Sequence, residues 1–269
     1  MKPVPLSTPS LPPQLKAAYV QPKLNGIRAF WDPDKEKLLT RTGKTISSCP
    51  HIVAAIKSLP LPYNQLKLDG EIYKHQLPLQ VISGAVRRYF PSALSAEFEY
   101  HIFDFISSQP YLKRKHLLDN LPANNPIIKC VKTVFVDGTE ADSKIQFYCE
   151  QFVQEGYEGI IIRNPSAPYD DGRHVGFMWK YKPVKYMECE LIGLRAATTD
   201  RNAATFGSLK LRTPDGFIVY CSGLADHDRE IISNNFSRLY GRKVLISYDE
   251  LSLEGKPMRL RFEQLVEED

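Results

Sequence analysis

The chain has no apolar run approaching the roughly 20 residues that a bilayer-spanning helix needs, so a membrane span is excluded. Its start, MKPVPLSTPSLPPQLK, lacks the continuous apolar core of a secretory signal. The prolines there predict an ordered arm or an extended lead-in instead. Cysteines are scarce and scattered: Cys49, Cys130, Cys149, Cys189 and Cys221 are odd in number and contain no CxxC pair. That argues against a disulfide framework and against a zinc site, and it fits a reducing, cytoplasmic compartment. Internal repeats are absent, as are low-complexity tracts beyond the proline-rich start. Nor is charge strongly biased: the net value of +4 is compatible with a nucleic-acid partner without requiring one. What is present is an ordinary globular composition over 269 residues, enough for one large or two modest domains.

Short β-rich runs alternate with a few helical stretches. AAYVQP and IRAFWD read as strands on either side of a loop carrying Lys23, and LLTRTG reads as the next strand. HIVAAIKSLP predicts a short helix ended by Pro60, whereas LKLDGEIY and YHIFDFI are apolar enough for strands buried on at least one face. DSKIQFYCEQFVQEG is the clearest helix: Ile145, Tyr148, Phe152 and Val153 fall at helical spacing, Asp142 or Ser143 can cap it, and Gly156 can end it. EGIIIR follows as a β-branched candidate for a central strand. From about Glu188 the texture changes to closely spaced strands (ECELIGL, GSLKLRT, FIVYCSG, RKVLISYDEL, and a basic run KPMRLRFEQL) with one inserted helix, DHDREIISNNFSRLYG. That pattern predicts a small β-barrel of the OB type, with a domain boundary near Pro183 to Lys185.

The chemistry-bearing residues lie in the first part. A lysine is a nucleophile only when its pKa falls from about 10.4 through burial or neighbouring cations. For Lys23 the sequence offers Arg28, Arg41, Lys180 and Lys182 as such cations, and Gly26 allows close approach of a ligand to the backbone. Taken alone, KLNG reads as a hairpin turn with a solvated lysine. LDGEIY places Asp69 and Glu71 on one strand face, Glu158 opens another strand, and Lys180 and Lys182 share a face of a third. Carboxylates from two strands with several cations suit a metal-bound nucleotide phosphate. For each pair by itself, an exposed face of solvated charges is the plainer account.

In order, KLNGIR, LDGEIY, FDF, EGIIIR and KYKP resemble the nucleotidyltransferase motifs of ATP-dependent DNA ligases, RNA ligases and mRNA-capping enzymes. GSLKLRTPDG, SGLADHDRE and KPMRLRF are similar to the OB domain of minimal ATP-dependent DNA ligases of viruses, phages and small bacterial systems. The resemblance covers nearly the whole chain after about Ala17. It implies an α+β fold: a nucleotidyltransferase (adenylation) domain of ATP-grasp-like antiparallel sheets with helices over residues 1–184, then an OB-fold β-barrel over 185–269. It also implies a monomeric enzyme of DNA replication, repair and recombination that uses ATP with Mg²⁺ or Mn²⁺ and seals 5′-phosphate, 3′-hydroxyl nicks in duplex DNA.

Carried onto this sequence, the resemblance makes Lys23 the acceptor of AMP from the α-phosphate of ATP. Arg28 and Arg41 match positions that contact the nucleotide and the 5′-phosphate of the nick. Glu71 matches the acid at the ribose, possible metal contact included, and Glu158 the acid that helps hold the divalent metal. Phe103 matches the aromatic that stacks on adenine, a role for which HIFDF alone would suggest core packing. Gln21 sits where the adenine edge is read, and Lys180 with Lys182 matches the pair that neutralises the α-phosphate. Lys210, Arg212, Arg242, Lys243, Lys256, Arg259 and Arg261 are candidates for phosphate contacts along a duplex, with Arg87 and Arg88 as a second patch.

Three departures stand beside this. Asn25 occupies the place where DNA ligases usually show Asp. KPMRLRF lacks the common Pro between the aromatic residues. The loop RAATTDRNAAT is short where some viral ligases carry a long DNA-encircling insertion, and no helical DNA-binding domain is expected ahead of the core. The alternatives are an RNA ligase of the same chemistry, a capping guanylyltransferase, or a non-catalytic OB-type nucleic-acid-binding protein. The last would leave the Lys, acid and cation pattern without a role.

Overall fold

Short β-branched and aromatic runs, many of them cut off by Gly, Pro, Asn or Asp, make much of the chain strand. The computed structural model describes residues 2–122, 125–170, 172, 175–198 and 204–266. Two compact units form, Met1–Pro183 and Val184–Asp269. Along the first come β1 (Val4–Pro5), β2 (Ala17–Lys23), β3 (Ile27–Asp32), β4 (Lys37–Thr40), α1 (Pro50–Lys57), β5 (Leu68–Tyr73) and α2 (Leu79–Val86). Then follow β6 (Glu99–Phe105), α3 (Tyr111–Asp119), β7 (Ile128–Cys130), β8 (Val134–Asp137), α4 (Ala141–Gln154), β9 (Gly159–Arg163) and β10 (Met178–Tyr181).

These strands build two sheets, in the orders β1-β10-β9-β2-β8 and β4-β3-β5-β6-β7. Pairing is antiparallel except for β1 beside β10 and β6 beside β7. In the first sheet, strand alternation sends Ala18, Val20, Ile160, Ile162 and Trp179 into a core with Ile145, Cys149 and Phe152 of α4. In the second, Ala29, Trp31, Ile72, Tyr100 and Ile102 pack with Ile52 and Ile56 of α1 and Ile82 of α2. The opposite faces of both sheets are therefore free to carry polar side chains.

Three local expectations need correction. The α4 helix begins at Ala141 after Glu140, without a side-chain capping bond. Asp142 lies inside its first turn, where its Oδ1 accepts the Leu11 N–H at 2.6 Å, so the Pro-rich lead-in has taken the carboxylate expected at the cap. Val153 is exposed, and Cys149 takes its place on the buried face. Lys182 lies just past the end of β10 rather than within a strand.

The second unit runs β11 (Lys185–Arg195), β12 (Ser208–Arg212), β13 (Ile218–Cys221), α5 (Asp226–Asn234), α6 (Phe236–Leu239), β14 (Lys243–Tyr248), β15 (Glu250–Leu251), β16 (Pro257–Met258) and β17 (Arg261–Leu265). Its main sheet is antiparallel in the order β13-β12-β11-β14-β17. Leu191, Leu209, Leu211, Val219, Val244 and Ile246 form its core with Ile232 of α5. The single helix expected here is broken at Asn235, whose Nδ2 bonds back to the Ile231 carbonyl at 2.8 Å. Residues 199–203 of the loop RAATTDRNAAT lie outside the described residues. All five cysteines are free. Among the described residues no helix is long and apolar enough to cross a membrane.

Candidate active site

Lys23 is the last residue of β2, and β2 and β3 belong to different sheets. Leu24-Asn25-Gly26 is thus a crossing between sheets, not the turn of a hairpin. A Cβ on Gly26 would press on the Ile72 carbonyl and lie 2.9 Å from the Glu71 Cγ, so only glycine lets the crossing segment run this close to β5. Alternation along β2 directs Tyr19, Gln21 and Lys23 away from the α4 core. Across the ladder, Lys23 pairs with Gly159 and Gln21 with Ile161. The Glu158 N–H donates to the Lys23 carbonyl at 3.1 Å, which brings the two side chains together: Lys23 Nζ is ion-paired with Glu158 Oε2. Lys182 Nζ approaches the other oxygen, Glu158 Oε1, at 3.5 Å. A Cβ at Gly159 would collide with the Tyr181 carbonyl and stand 2.8 Å from the Lys182 Cα, so glycine also lets Lys182 reach this cluster. Lys180 falls on the same side of β10 as Met178, which lines the adjoining cavity.

The second sheet supplies the facing wall. Arg28 on β3 pairs across the ladder with Glu71 on β5. The Arg28 guanidinium clamps Asp69 in two bonds, Nε to Oδ1 at 2.9 Å and Nη2 to Oδ2 at 2.6 Å. Tyr169 donates to the same carboxylate, Oη to Oδ2 at 2.9 Å. Burial works against the Arg28 charge, but Asp69 outweighs it and holds the guanidinium above its ordinary value. Glu71 Oε1 accepts the Gly26 N–H at 3.1 Å. Burial pushes its carboxyl up to about 7 against the opposing pull of Lys23, the Gly26 N–H and Arg28. A register shift between Asp69 and Gly70 leaves Phe103 as the extra residue of β6, so a bulge turns its ring toward the site. Two guanidinium groups flank that ring, Arg163 at 5.3 Å and Arg28 at 5.7 Å from its centroid. Gln21, Lys23, Arg28, Glu71, Phe103 and Arg163 all line one cavity of about 230 Å³.

Beneath it lies a buried polar network that motif reading alone misses. Asp104 is fully buried and accepts from Arg114 (Nε to Oδ1, 2.6 Å) and from Arg163 (Nη1 to Oδ2, 2.8 Å). Arg163 in turn donates through Nε to Gln21 Oε1 at 2.7 Å. The Gln21 amide gives its two hydrogens to Tyr111 Oη at 3.0 Å and Thr133 Oγ1 at 2.9 Å. Gln21 therefore enters the cavity wall as a member of this network, with its amide orientation set by protein partners. The signal was in the strings themselves: a charged residue ending an apolar buried strand, as in EGIIIR, or standing between two aromatic residues, as in FDF, must have a partner.

The remaining candidates divide into two groups. Arg41 is exposed in the turn after β4, and it lines an open groove together with Arg28, Lys44, Arg87 and Arg88. In the second unit Lys210 and Arg212 lie on β12. Arg212 meets Glu190 at 3.2 Å, and Arg259 meets Asp249 and Glu250, each at 3.2 Å. Arg261 meets Asp249 at 2.9 Å. All three guanidinium groups are at least half exposed, so these pairs are weak and open to exchange for phosphate.

The family model for the ATP-dependent DNA ligase domain matches residues 11–182. A DNA ligase of African swine fever virus (isolate Warthog/Namibia/Wart80/1980) is 30% identical over 261 residues, covering 90% of this chain and 62% of the viral protein. The chain thus spans less than two thirds of that relative. Among solved structures, one from work on DNA binding with a minimal scaffold in Lig E DNA ligases superposes with a TM-score of 0.74 at 22% identity, covering 99% of this chain and 100% of the other. An adenylated Chlorella virus DNA ligase does so with a TM-score of 0.52 at 22% identity, covering 99% of both chains. At that identity the two structures speak for the fold.

Proposed function

The chain belongs to the ATP-dependent DNA ligase family, and we propose that it seals 5′-phosphate, 3′-hydroxyl nicks in duplex DNA through a lysyl-AMP intermediate. The observation that carries this reading is the meeting of Lys23, Glu158 and Lys182 in one cluster beside a cavity lined by Arg28, Glu71 and Phe103. Lys23 Nζ attacks the α-phosphorus of ATP; an N–P bond forms, the bond to the bridging oxygen breaks, and pyrophosphate leaves with the electron pair. The proton that Lys23 must lose has an acceptor in Glu158 Oε2. Lys180 and Lys182 offset the charge that builds on the α-phosphate, and Arg28 with Arg41 receives the nucleotide and then the 5′-phosphate of the nick. An oxygen of that phosphate displaces Lys23 from AMP; the 3′-hydroxyl then attacks the 5′-phosphorus, closes the phosphodiester and releases AMP.

The cavity, with Phe103 at one wall and the Arg163-held Gln21 at another, suits a flat base. Among the described residues no three His, Cys, Asp or Glu cluster into an all-protein metal cage. Two carboxylates, Glu71 and Glu158, fit a Mg²⁺ or Mn²⁺ that takes its other oxygens from phosphate and water. A divalent ion held there supplies charge neutralisation at the phosphates. We assign the adenylation function to residues 1–184. Residues 185–269 we read as an OB-type domain whose Lys210, Arg212, Arg259 and Arg261 contact the DNA backbone. We read the enzyme as a monomer of the cytoplasm, a location that its five free cysteines support.

Incubation with α-labelled ATP and Mg²⁺ tests the reading. It predicts an acid-labile, alkali-stable labelled protein that Lys23→Ala abolishes and that discharges on nicked DNA. A folded, unadenylylated protein that takes no label would refute it. A label obtained only with GTP would indicate capping chemistry, and sealing confined to nicked RNA an RNA ligase.

A further inference from the structure

The proline-rich lead-in is tied to the first sheet and reaches the nucleotide cavity. β1 is the edge strand of that sheet, parallel to β10, with Val4 opposite Trp179 and Pro5 opposite Lys180. The Lys2 N–H donates to the Gly172 carbonyl and the Leu6 N–H to the Lys180 carbonyl, both at 2.9 Å. With donors at these even positions, Pro3 and Pro5 fall where an N–H would point to the open edge. Proline loses no bond there and bars a further strand. Beyond β1 the Leu11 N–H is held by Asp142. Strand alternation packs Val4 and Leu6 against the α4 core and turns Pro3 to the other side. There Pro3 lines the nucleotide cavity with Lys23, Arg28, Phe103 and Met178. Its neighbour Lys2 lines a groove that shares Arg28 with the cavity and also contains Arg41.

We propose that residues 2–6 are part of the ATP site: Pro3 closes one wall of the cavity on the bound nucleotide, and β1 holds β10 so that Lys180 stays at the α-phosphate. This deepens the nick-sealing reading and rests on it. The two contributions have different kinetic signatures. A wall contact made equally with ATP and with the transition state adds affinity and leaves the rate at saturation alone. Lys180 acts on charge that develops during transfer, so its misplacement falls on the rate. Without β1, β10 becomes the edge of the sheet. The Lys180 carbonyl then loses the Leu6 N–H, and an edge strand of four residues frays easily.

The test is lysyl-AMP formation by the 269-residue chain across a series of ATP concentrations with Mg²⁺. Beside it, binding of α,β-methylene-ATP, which cannot transfer its adenylyl group, is read from the urea midpoint of tryptophan fluorescence. Pro3→Ala should raise the half-saturating ATP concentration about 3- to 10-fold, the contribution of one to two methylene groups withdrawn from contact. It should shrink the stabilisation given by the analogue to match, with the loss falling on half-saturation and not on the rate at saturation. Deletion of residues 2–6 should weaken ATP binding at least as much and also slow labelling at saturating ATP by about tenfold or more. Half-saturation and analogue binding unchanged within about twofold in Pro3→Ala overturn the wall. A deletion variant that labels at the full rate at saturation overturns the hold on Lys180, as does one unfolded without urea, which would assign β1 to the fold. If the unsubstituted chain takes label and both variants match it, the arm alone fails. If the unsubstituted chain neither binds the analogue nor takes label, the nick-sealing reading fails and takes the arm with it.

Discussion

Replacing Asp104 by Asn should cost the first unit about 3–5 kcal/mol, the price of stranding a charge in a buried pair. Four hydrogen bonds converge on this carboxylate. Oδ1 accepts from Arg114 Nε at 2.6 Å and from the Phe105 N–H at 2.9 Å. Oδ2 accepts from Arg163 Nη1 at 2.8 Å and from Arg114 Nη2 at 3.1 Å. Asn preserves an oxygen at one position and puts an amide NH₂ at the other, where it meets two guanidinium N–H groups with no acceptor between them. It also removes the counter-charge from Arg114, fully buried, and from Arg163, 4% exposed. Against a total stability of about 5–15 kcal/mol, the loss corresponds to a fall in Tm of roughly 6–20 °C for a unit of this size. Both tryptophans, Trp31 and Trp179, are buried in the first unit, one in each sheet. Urea unfolding followed by their fluorescence therefore isolates that unit from the second. Arg163→Met added to Asp104→Asn should recover part of the loss, since it withdraws one of the stranded charges. A shift below about 1 kcal/mol, or no recovery in the double variant, would refute the claim that this charge organises the floor of the cavity.

Three further outcomes follow from the same geometry. Glu71 has a folded pKa of about 7 against about 4.3 unfolded, so between those values the folded state holds more protons and stability must fall as pH rises. In EDTA that decline should be on the order of 1–3 kcal/mol, flat above pH 7 and absent in Glu71→Gln; urea curves at pH 5 and 7 that show the opposite slope would contradict it. Gly26→Ala should cost about 1–3 kcal/mol, because the Ile72 carbonyl and Glu71 leave no room for the methyl group, and it should slow adenylylation at least tenfold; normal label transfer would count against the tight crossing. Asn25→Asp should change nick sealing by less than about tenfold, since Asn already offers the carbonyl acceptor. A gain of orders of magnitude in a nick-sealing assay would mean that charge is needed there and that another substrate is preferred.

Strands and the long helix were legible because pattern and propensity are local properties: alternation in IRAFWD, the β-branched run of EGIIIR and helical spacing in α4 each report surface to be buried. The family was legible through the order of its motifs along the chain. Sheet membership was not, because KLNG reads the same whether the strands on its two sides pair with each other or part into separate sheets. Only the long-range ladders decide that, with Lys23 opposite Gly159 and Arg28 opposite Glu71. The same limit hid the buried ion network, whose members Asp104, Arg114 and Arg163 lie on β6, α3 and β9. A sequence shows that each charge ends or interrupts an apolar run; it does not show which one answers which. The crossing also explains why a lysine stands at this point. A hairpin lysine would project into solvent from a single sheet. At the point where the chain leaves one sheet for the other, Lys23 meets Glu158 from its own sheet and faces Glu71 and Arg28 from the second. Gly26 is then the residue that holds the crossing against β5, which is why the expected penalty for filling it falls on the proposed chemistry as well as on stability.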